Sequence, residues 1–416
     1  MRTQKKKREL TVEQQQLMAC LRAYVENRSL KEAYCCTREQ WEQLYRIAAI
    51  HKMTAVVFDT LGRGAEFCRE NPELKQRWRS DAIGQSIGQT TRTQRLLTIL
   101  AELNRAQIPY ALFKGFVCRQ MYGKPDMRPS GDEDLLIHPE DRRRCEEALK
   151  GMGLVMVSHA DEAEVVHWLD RRTSLHIELH SALIPSDWNM AEVLDPYLTQ
   201  QLDRGYDLEA EGVRVRTLMP TAQMAFLVVH ALKHFIAGGF GVRTMADVVV
   251  FAKTYDSEID WAEVRDILEA VHGRVFLEQM LVMGEKYLGV EFWPRGWSRS
   301  RDRDEQPMLL DMLNAGIYGQ SSMNRRHSAA VLVQYAQGSG RPSLRHAMFP
   351  PARALKGRYP ELEKWPVLLP VAWARRMGHY TAEVLRKRGG ESSPSEAVSL
   401  ARRREDLMRY YRIFED

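Results

Sequence analysis

At 416 residues and 48.1 kDa the chain is long enough for two or three compact units with substantial cores. Its 44% hydrophobic and 28% charged residues are those of an ordinary globular protein, and no apolar run reaches the roughly 18 residues that a membrane span needs. The net charge of +5 is concentrated at the start, where Arg2, Lys5, Lys6, Lys7 and Arg8 stand against Glu9 alone.

That basic start (residues 1–10) reads as a frayed, disordered N-terminus. No apolar segment follows it, so it is not a signal peptide. Without a basic stripe elsewhere, long nucleic acid is a poor fit as a partner. The six cysteines, Cys20, Cys35, Cys36, Cys68, Cys118 and Cys145, contain no CxxC pair. Such loose spacing fits reduced thiols in a cytoplasmic protein better than a disulfide frame or a zinc site.

Residues 11–105 read as an N-terminal helical region. Leu17, Cys20, Leu21 and Tyr24 recur at helical spacing, and Trp41, Leu44, Tyr45, Ala48 and Lys52 continue a second helix after Thr37, a cap candidate. Asn71-Pro72 opens a long polar helix over Pro72–Arg105. Its sparse stripe of Trp78, Ile83, Ile87, Leu96 and Leu100 suits packing across another domain, while Arg92, Gln94 and Arg95 read as a solvated face.

From Ile108 the pattern changes to short strands and helices. The stretch Pro109–Ile137 organises the chain. An apolar run, Tyr110–Phe113, ends in Lys114-Gly115; a short amphipathic helix and a Pro/Gly-rich loop with Arg128 follow; a second run carries Asp132-Glu133-Asp134 into Leu135–Ile137. Alternation puts Asp132 and Asp134 on one face and Glu133 on the other. A helix over Glu140–Lys150 ends at Gly151 and Gly153, and strand-like runs follow at Leu154–Val157, Glu164–Leu169 and Ser174–His180. Asp170-Arg171-Arg172-Thr173 reads as a hairpin turn. In the last run His176, Glu178 and His180 share one face and Leu175, Ile177 and Leu179 the other. Beyond it come a helix near Met190–Arg204, a hairpin at Glu211-Gly212, and helices over Thr221–Ile236, Val242–Lys253 and from Asp260-Trp261. Ser298–Asp304 and Arg388–Pro394 read as exposed loops.

Two carboxylates on one strand face suit an oxygen-ligated divalent ion such as Mg²⁺ or Mn²⁺. Lys-Gly before a helix, Asp-x-Asp on the next strand and a third acid, Glu178, on a later one are what a nucleotidyltransferase needs. Metal ions held by the acids bind an NTP and assist in-line displacement at the α-phosphorus. Gly115 lets backbone amides approach phosphate oxygens, and Lys114 and Arg128 supply positive charge. Glu178 completes the metal site or takes the nucleophile's proton.

At these residues the chain resembles the uncharacterised nucleotidyltransferase branch of the DNA polymerase β-like superfamily. The matching positions are Phe113-Lys114-Gly115, Tyr122, Arg128, Asp132-x-Asp134-Leu-Leu-Ile and the Leu175–His180 strand. Distally they include the helix Ala225–His230 with His234, Arg243 and Asp247, Asp260-Trp261, and the Pro-containing stretches at Phe349-Pro350 and Leu369-Pro370. The resemblance runs over about residues 40–375, with its most specific motifs at 109–250. In this branch Lys-Gly stands where many relatives have Gly-Ser, and Glu178 stands where the family more often has Asp.

Other readings compete. His-x-Glu-x-His at 176–180 would bind Zn²⁺ or Fe²⁺ in a metal-dependent hydrolase, but that leaves Lys114-Gly115 and Arg128 unexplained. A non-catalytic nucleotide- or protein-binding member would keep the fold without the reaction. His230, Lys233 and His234 share a helical face and read as polar groups of a core rim, with Asp247 pairing Arg243 a turn away or orienting His230.

The expectation is therefore an α+β protein: a small mixed β-sheet nucleotidyltransferase core at 106–219 flanked by helices, after the helical region 11–105 and before a C-terminal helical domain at 220–416. It would be an ATP- or other NTP-binding, Mg²⁺- or Mn²⁺-dependent transferase. Asp132, Asp134 and Glu178 would be the catalytic and metal-binding residues, with Lys114, Gly115 and Arg128 on the phosphates. The acceptor, a small molecule or a protein, is expected in a cleft between the core and the C-terminal helical domain.

Overall fold

The computed structural model describes residues 9–30, 32–35, 37–62, 64, 66–157, 164–183, 194, 200–299, 303–316, 359, 361–375 and 394–413. Phe349-Pro350, most of the helix expected near Met190–Arg204 and most of the loop Arg388–Pro394 lie outside these residues. The chain divides into two compact units, one made of residues 1–229 and 243–299, the other of 230–242 and 300–416.

In the first unit, helices α1 (Val12–Val25) and α2 (Arg38–Ile50) start at Thr11 and Thr37. Each threonine hydroxyl accepts from the amide three residues on, and Gln14 or Gln40 bonds back to the cap amide. Helix α3 (Thr54–Leu61) follows; the segment TAVVFDTL has no polar face, so periodicity does not announce it. Helix α4 spans Pro72–Arg105 as the sequence predicts, capped by Asn71 with Pro72 in its first turn.

The α4 stripe differs from expectation. Trp78, Leu96 and Leu100 are buried, but Ile83 and Ile87 are 45% and 62% exposed. The buried row instead runs Trp78, Ala82, Gln89, Thr93, Leu96, Leu100 and Leu103, spacings of three, four and seven that stay on one helical face. Ile83 and Ile87 sit about one residue, or roughly 100°, off it. Gln89 and Thr93 hold the polar gap because both bond groups from the site described below. Arg95 is not solvated either: it pairs with Asp170 at 2.5 Å and donates to Met152 O, tying the helix to the sheet.

The seven-stranded mixed sheet runs in the order β3-β4-β5-β2-β1-β7-β6. Its strands are β1 (Ala111–Phe113), β2 (Glu133–Leu136), β3 (Val155–Met156), β4 (Val165–Asp170), β5 (Leu175–His180), β6 (Tyr206–Ala210) and β7 (Val213–Thr217). Pairs β2/β5 and β1/β7 are parallel; the others are antiparallel. Both predicted hairpins are present. At the β4–β5 turn Asp170 accepts from the amides of Arg172 and Thr173. One sheet face packs Leu112, Leu135, Ile177 and Leu179 against Leu96, Leu100 and Leu103 of α4 and against Cys145 and Leu149 of helix α6 (Arg142–Gly151). A short helix, α5 (Gly115–Arg119), follows β1, and α7 (Gln201–Arg204) precedes β6.

After the sheet come α8 (Pro220–Ala237), α9 (Val242–Thr254), α10 (Trp261–Ala270, capped by Asp260) and α11 (Arg274–Met283). The second unit holds α12 (Gln306–Ala315), α13 (Glu361–Lys364) and α14 (Pro394–Tyr410). There the buried Arg404 donates to Phe235 O and lies 3.5 Å from Asp311. Also in this unit, the His230 and His234 Nε2 atoms approach to 3.0 Å. Cys20, Cys68, Cys118 and Cys145 are free thiols, and these four and Cys35 are buried. Among the described residues no helix is long and apolar enough to cross a membrane.

Candidate functional site

Strand register builds the site. Phe113 lies opposite Asp134, Asp134 opposite Glu178, and Glu178 opposite His167. Paired residues project from the same face, so four adjacent strands present one transverse row of an aromatic ring, two acids and an imidazole. Along β5 the same face grades from exposed His176 through half-buried Glu178 to buried His180. The apolar set Leu175, Ile177 and Leu179 packs into the core, as its alternation requires.

His180 is drawn into the acidic row. Its Nε2 lies 3.0 Å from Asp134 Oδ1 and 3.5 Å from Glu178 Oε2, while His167 Nδ1 is 3.5 Å from Glu178 Oε1. One oxygen each of Asp134 and Glu178 and a ring nitrogen of His180 fall within 4.8 Å of one another. Asp132, immediately before β2 and half-buried, hydrogen-bonds Glu178. His167 carries no motif signal; only its place in the alternating run Glu164–Leu169 put it on this face.

Lys114 closes the site from the β1 side. Its Nζ stands 2.6 Å from Asp134 Oδ1, beside the rings of Phe113 and Phe226 at 5.5 and 5.7 Å from their centroids. The turn between β1 and α5 puts Lys114 at φ +57°, ψ −111°, a region that costs a side-chain-bearing residue about 1–3 kcal/mol. Gly115 has an ordinary backbone and a different reason to be glycine. A Cβ there would meet Ser130 Oγ at 2.7 Å and Glu133 Oε2 at 3.0 Å.

Glu133 falls on the core face, opposite Asp132 and Asp134 in direction, and is neutralised there by Arg119 at 2.6 Å, both side chains buried. Arg119 also donates to Ser130 and Thr93. Ser130 N in turn donates to Gln89 Oε1, and Arg243 donates to Pro129 O. Arg128, a residue expected on the phosphates, bonds protein groups here. Nε and Nη2 bind Asp247 at 2.9 and 2.5 Å, and Nη1 donates to Ser130 at 3.1 Å. Asp247 also accepts from Tyr122 at 2.9 Å, so Tyr122 and Arg128 reach it from outside its own helix. The loop 128–131 ahead of Asp132 is thus held at every residue from Arg128 to Ser130.

The electrostatics follow. Burial and the neighbouring Asp134 charge push the Asp132 carboxyl up to about 7, opposed by Lys114. Burial acts to raise Glu178 as well, but the His180 hydrogen bond and the Lys114 charge hold it well below the usual carboxylate range. The two carboxyls are hydrogen-bonded and titrate as a pair, with burial and the Asp134 charge favouring retention of a proton there. Burial alone would lower His180 and Lys114; hydrogen bonds to Asp134 and Glu178 raise the imidazole, and the Asp134 and Asp132 charges raise the ammonium.

This donor set fits a hard divalent ion. Asp132, Asp134 and Glu178 offer carboxylate oxygens, and the Lys114 ammonium already seated on Asp134 shows that the acids are arranged around a cation.

A mixed sheet flanked by helices, with a buried Asp/Glu/His cluster on one face, defines the molecule as a nucleotidyltransferase-like α+β protein. The chain belongs to the uncharacterised nucleotidyltransferase family, whose model matches residues 37–289. Leu369-Pro370 and Phe349-Pro350 lie beyond that match. Among solved structures, an antigenic nucleotidyltransferase-like protein from Paracoccidioides brasiliensis is similar at 15% identity and TM-score 0.32, over 49% of this chain and 93% of its own. JHP933 from Helicobacter pylori is similar at 15% identity and TM-score 0.25, over 55% of this chain and 88% of its own. No curated protein matches the chain.

Proposed function

We propose that the protein is a metal-dependent nucleotidyltransferase, transferring a nucleoside monophosphate from an NTP to a hydroxyl, amine or phosphate group of a small molecule or protein, with release of pyrophosphate. The observation that carries this reading is the convergence of Asp134, Glu178 and His180 on one face of the sheet, with Asp132 hydrogen-bonded to Glu178 beside them and Lys114 among them. Asp132, Asp134 and Glu178 would hold Mg²⁺ or Mn²⁺, which when bound neutralises the triphosphate and assists departure of pyrophosphate.

The chain's own residues supply the rest. His180 fixes the orientation of Asp134 and Glu178 through Nε2. Asp132 or Glu178, whichever is unprotonated, accepts the proton of the acceptor group as its atom bonds the α-phosphorus and the bond to the β-phosphate oxygen breaks. Lys114 offers its ammonium to phosphate oxygens. Arg128, committed to Asp247, braces the loop that carries Asp132.

Calorimetric titration of the four NTPs with Mg²⁺ tests the assignment against Asp132→Ala/Asp134→Ala, alongside pyrophosphate release. Metal-dependent binding by the wild type that is lost in the double variant is the expected result. Unchanged binding in the double variant overturns it.

A further inference from the structure

We propose that Lys114 is a resident cation of the carboxylate site: its ammonium and a divalent ion exclude one another at Asp134 until a triphosphate draws the ammonium away. The part concerning the triphosphate rests on the function proposed above; the exclusion at Asp134 stands on geometry alone.

Asp134 Oδ1 is already saturated. It takes Lys114 Nζ at 2.6 Å and His180 Nε2 at 3.0 Å, which accounts for both lone pairs of that oxygen. Its side chain is only 2% exposed, so water does not readily replace a departing cation. The ammonium is also attracted by Asp132 and Glu178, so one positive charge serves all three acids. Two aromatic faces, Phe113 and Phe226, flank it and add to its hold. The backbone at Lys114 is kept in a costly conformation that points the side chain inward. An ordinary solvent-facing phosphate lysine needs none of this.

A divalent ion entering the acids meets that ammonium as a like charge and as a competitor for the same oxygen. A triphosphate offers Lys114 an alternative set of oxygens and frees Asp134. Nucleotide and metal then favour each other's binding by equal factors, because the coupling is reciprocal. The acidic centre stays closed to free divalent ions and loads them together with nucleotide.

The test is Mn²⁺ titration of the full-length chain, followed through the spectroscopic signal of free Mn²⁺, for wild type, Lys114→Met and Lys114→Arg. Without nucleotide, Lys114→Met should bind Mn²⁺ at least tenfold more tightly than wild type, while Lys114→Arg stays near wild type. With a non-hydrolysable ATP analogue present, the difference between Met and wild type should shrink or reverse. Lys114→Gly, which accepts the same backbone angles, replaces Lys114→Met if that variant does not fold. Equal or weaker Mn²⁺ binding by the folded charge-removing variant overturns the proposal, even if the wild type binds NTP and releases pyrophosphate. Tighter Mn²⁺ binding by that variant in a protein that binds no NTP would instead support the exclusion while refuting the nucleotidyltransferase reading.

Discussion

Arg128 and Asp247, 119 positions apart, form a two-pronged ion pair in which Nε meets Oδ1 at 2.9 Å and Nη2 meets Oδ2 at 2.5 Å. The pair is buried and shared with Tyr122, so it pins the loop before Asp132 to helix α9. Removing one partner strands a desolvated charge. Asp247→Ala is expected to cost roughly 3–5 kcal/mol in urea unfolding. Arg128→Lys is expected to recover little, since a point charge cannot make the fork. An Asp247→Ala protein as stable as wild type would refute this account of the loop.

The second buried pair, Arg119 with Glu133, supports the site from beneath. Strand alternation leaves Glu133 facing the core, where only a buried cation can neutralise it. Arg119→Met alone should destabilise by about 3–5 kcal/mol, whereas Arg119→Met with Glu133→Met should recover most of the loss. The double-mutant cycle read by thermal unfolding decides this. Gly115→Ala pushes a methyl against Ser130 and Glu133, and a loss of about 1–3 kcal/mol is expected.

The pH dependence of the metal-free protein is set by three groups. Asp132, raised from 3.8 to about 7, keeps in the folded state a proton that the unfolded chain has released. Its contribution to stability therefore falls as pH rises through about 4 to 7. His180, raised above 6.5, acts in the same direction: its share is complete below 6.5 and is lost as pH climbs past the folded value. Glu178, depressed below 4.5, contributes above that pH and loses its share on acidification. Together the three groups should place the stability maximum well into acid, at about pH 4–5, where Glu178 has gained its share and the loss from Asp132 is only beginning. Asp132→Asn should flatten the falling limb and stabilise the protein at pH 8 by about 1–3 kcal/mol. Melting temperatures across that range that fall as steeply in the variant as in wild type would remove Asp132 as the source.

Local chemistry carries the legible part of this fold. Asn71-Pro72, Thr37, the Asp170–Thr173 turn, Glu211-Gly212 and the alternation of Leu175–His180 each announce an element through capping, turn preference or period. Register and strand order do not announce themselves. That Asp134 sits opposite Glu178, and that His167 joins them, depends on parallel pairing between β2 and β5 and on β4 lying beyond. The ion pairs Arg119–Glu133, Arg128–Asp247 and Arg95–Asp170 are invisible for the same reason: each joins segments far apart in sequence. Ile83 and Ile87 show the converse error, in which hydrophobicity outweighs phase; the buried face of α4 is continued by Gln89 and Thr93 because the site needs their hydrogen bonds.

Lys114 offers a test in which the usual order of two substitutions should invert. In most non-turn positions glycine is less stable than alanine by about 0.5–1 kcal/mol, because its unfolded chain has more freedom to lose. At φ +57°, ψ −111° a Cβ is the liability. Lys114→Gly and Lys114→Ala remove the same ammonium and the same contact with Asp134, so the two variants differ chiefly in backbone cost. The glycine variant is expected to be the more stable by about 1 kcal/mol or more in urea unfolding. Alanine equal to or better than glycine would mean that the turn relaxes once the ammonium is gone. The lysine's hold on Asp134, rather than the path of the chain from β1 into α5, would then be what bends the backbone there.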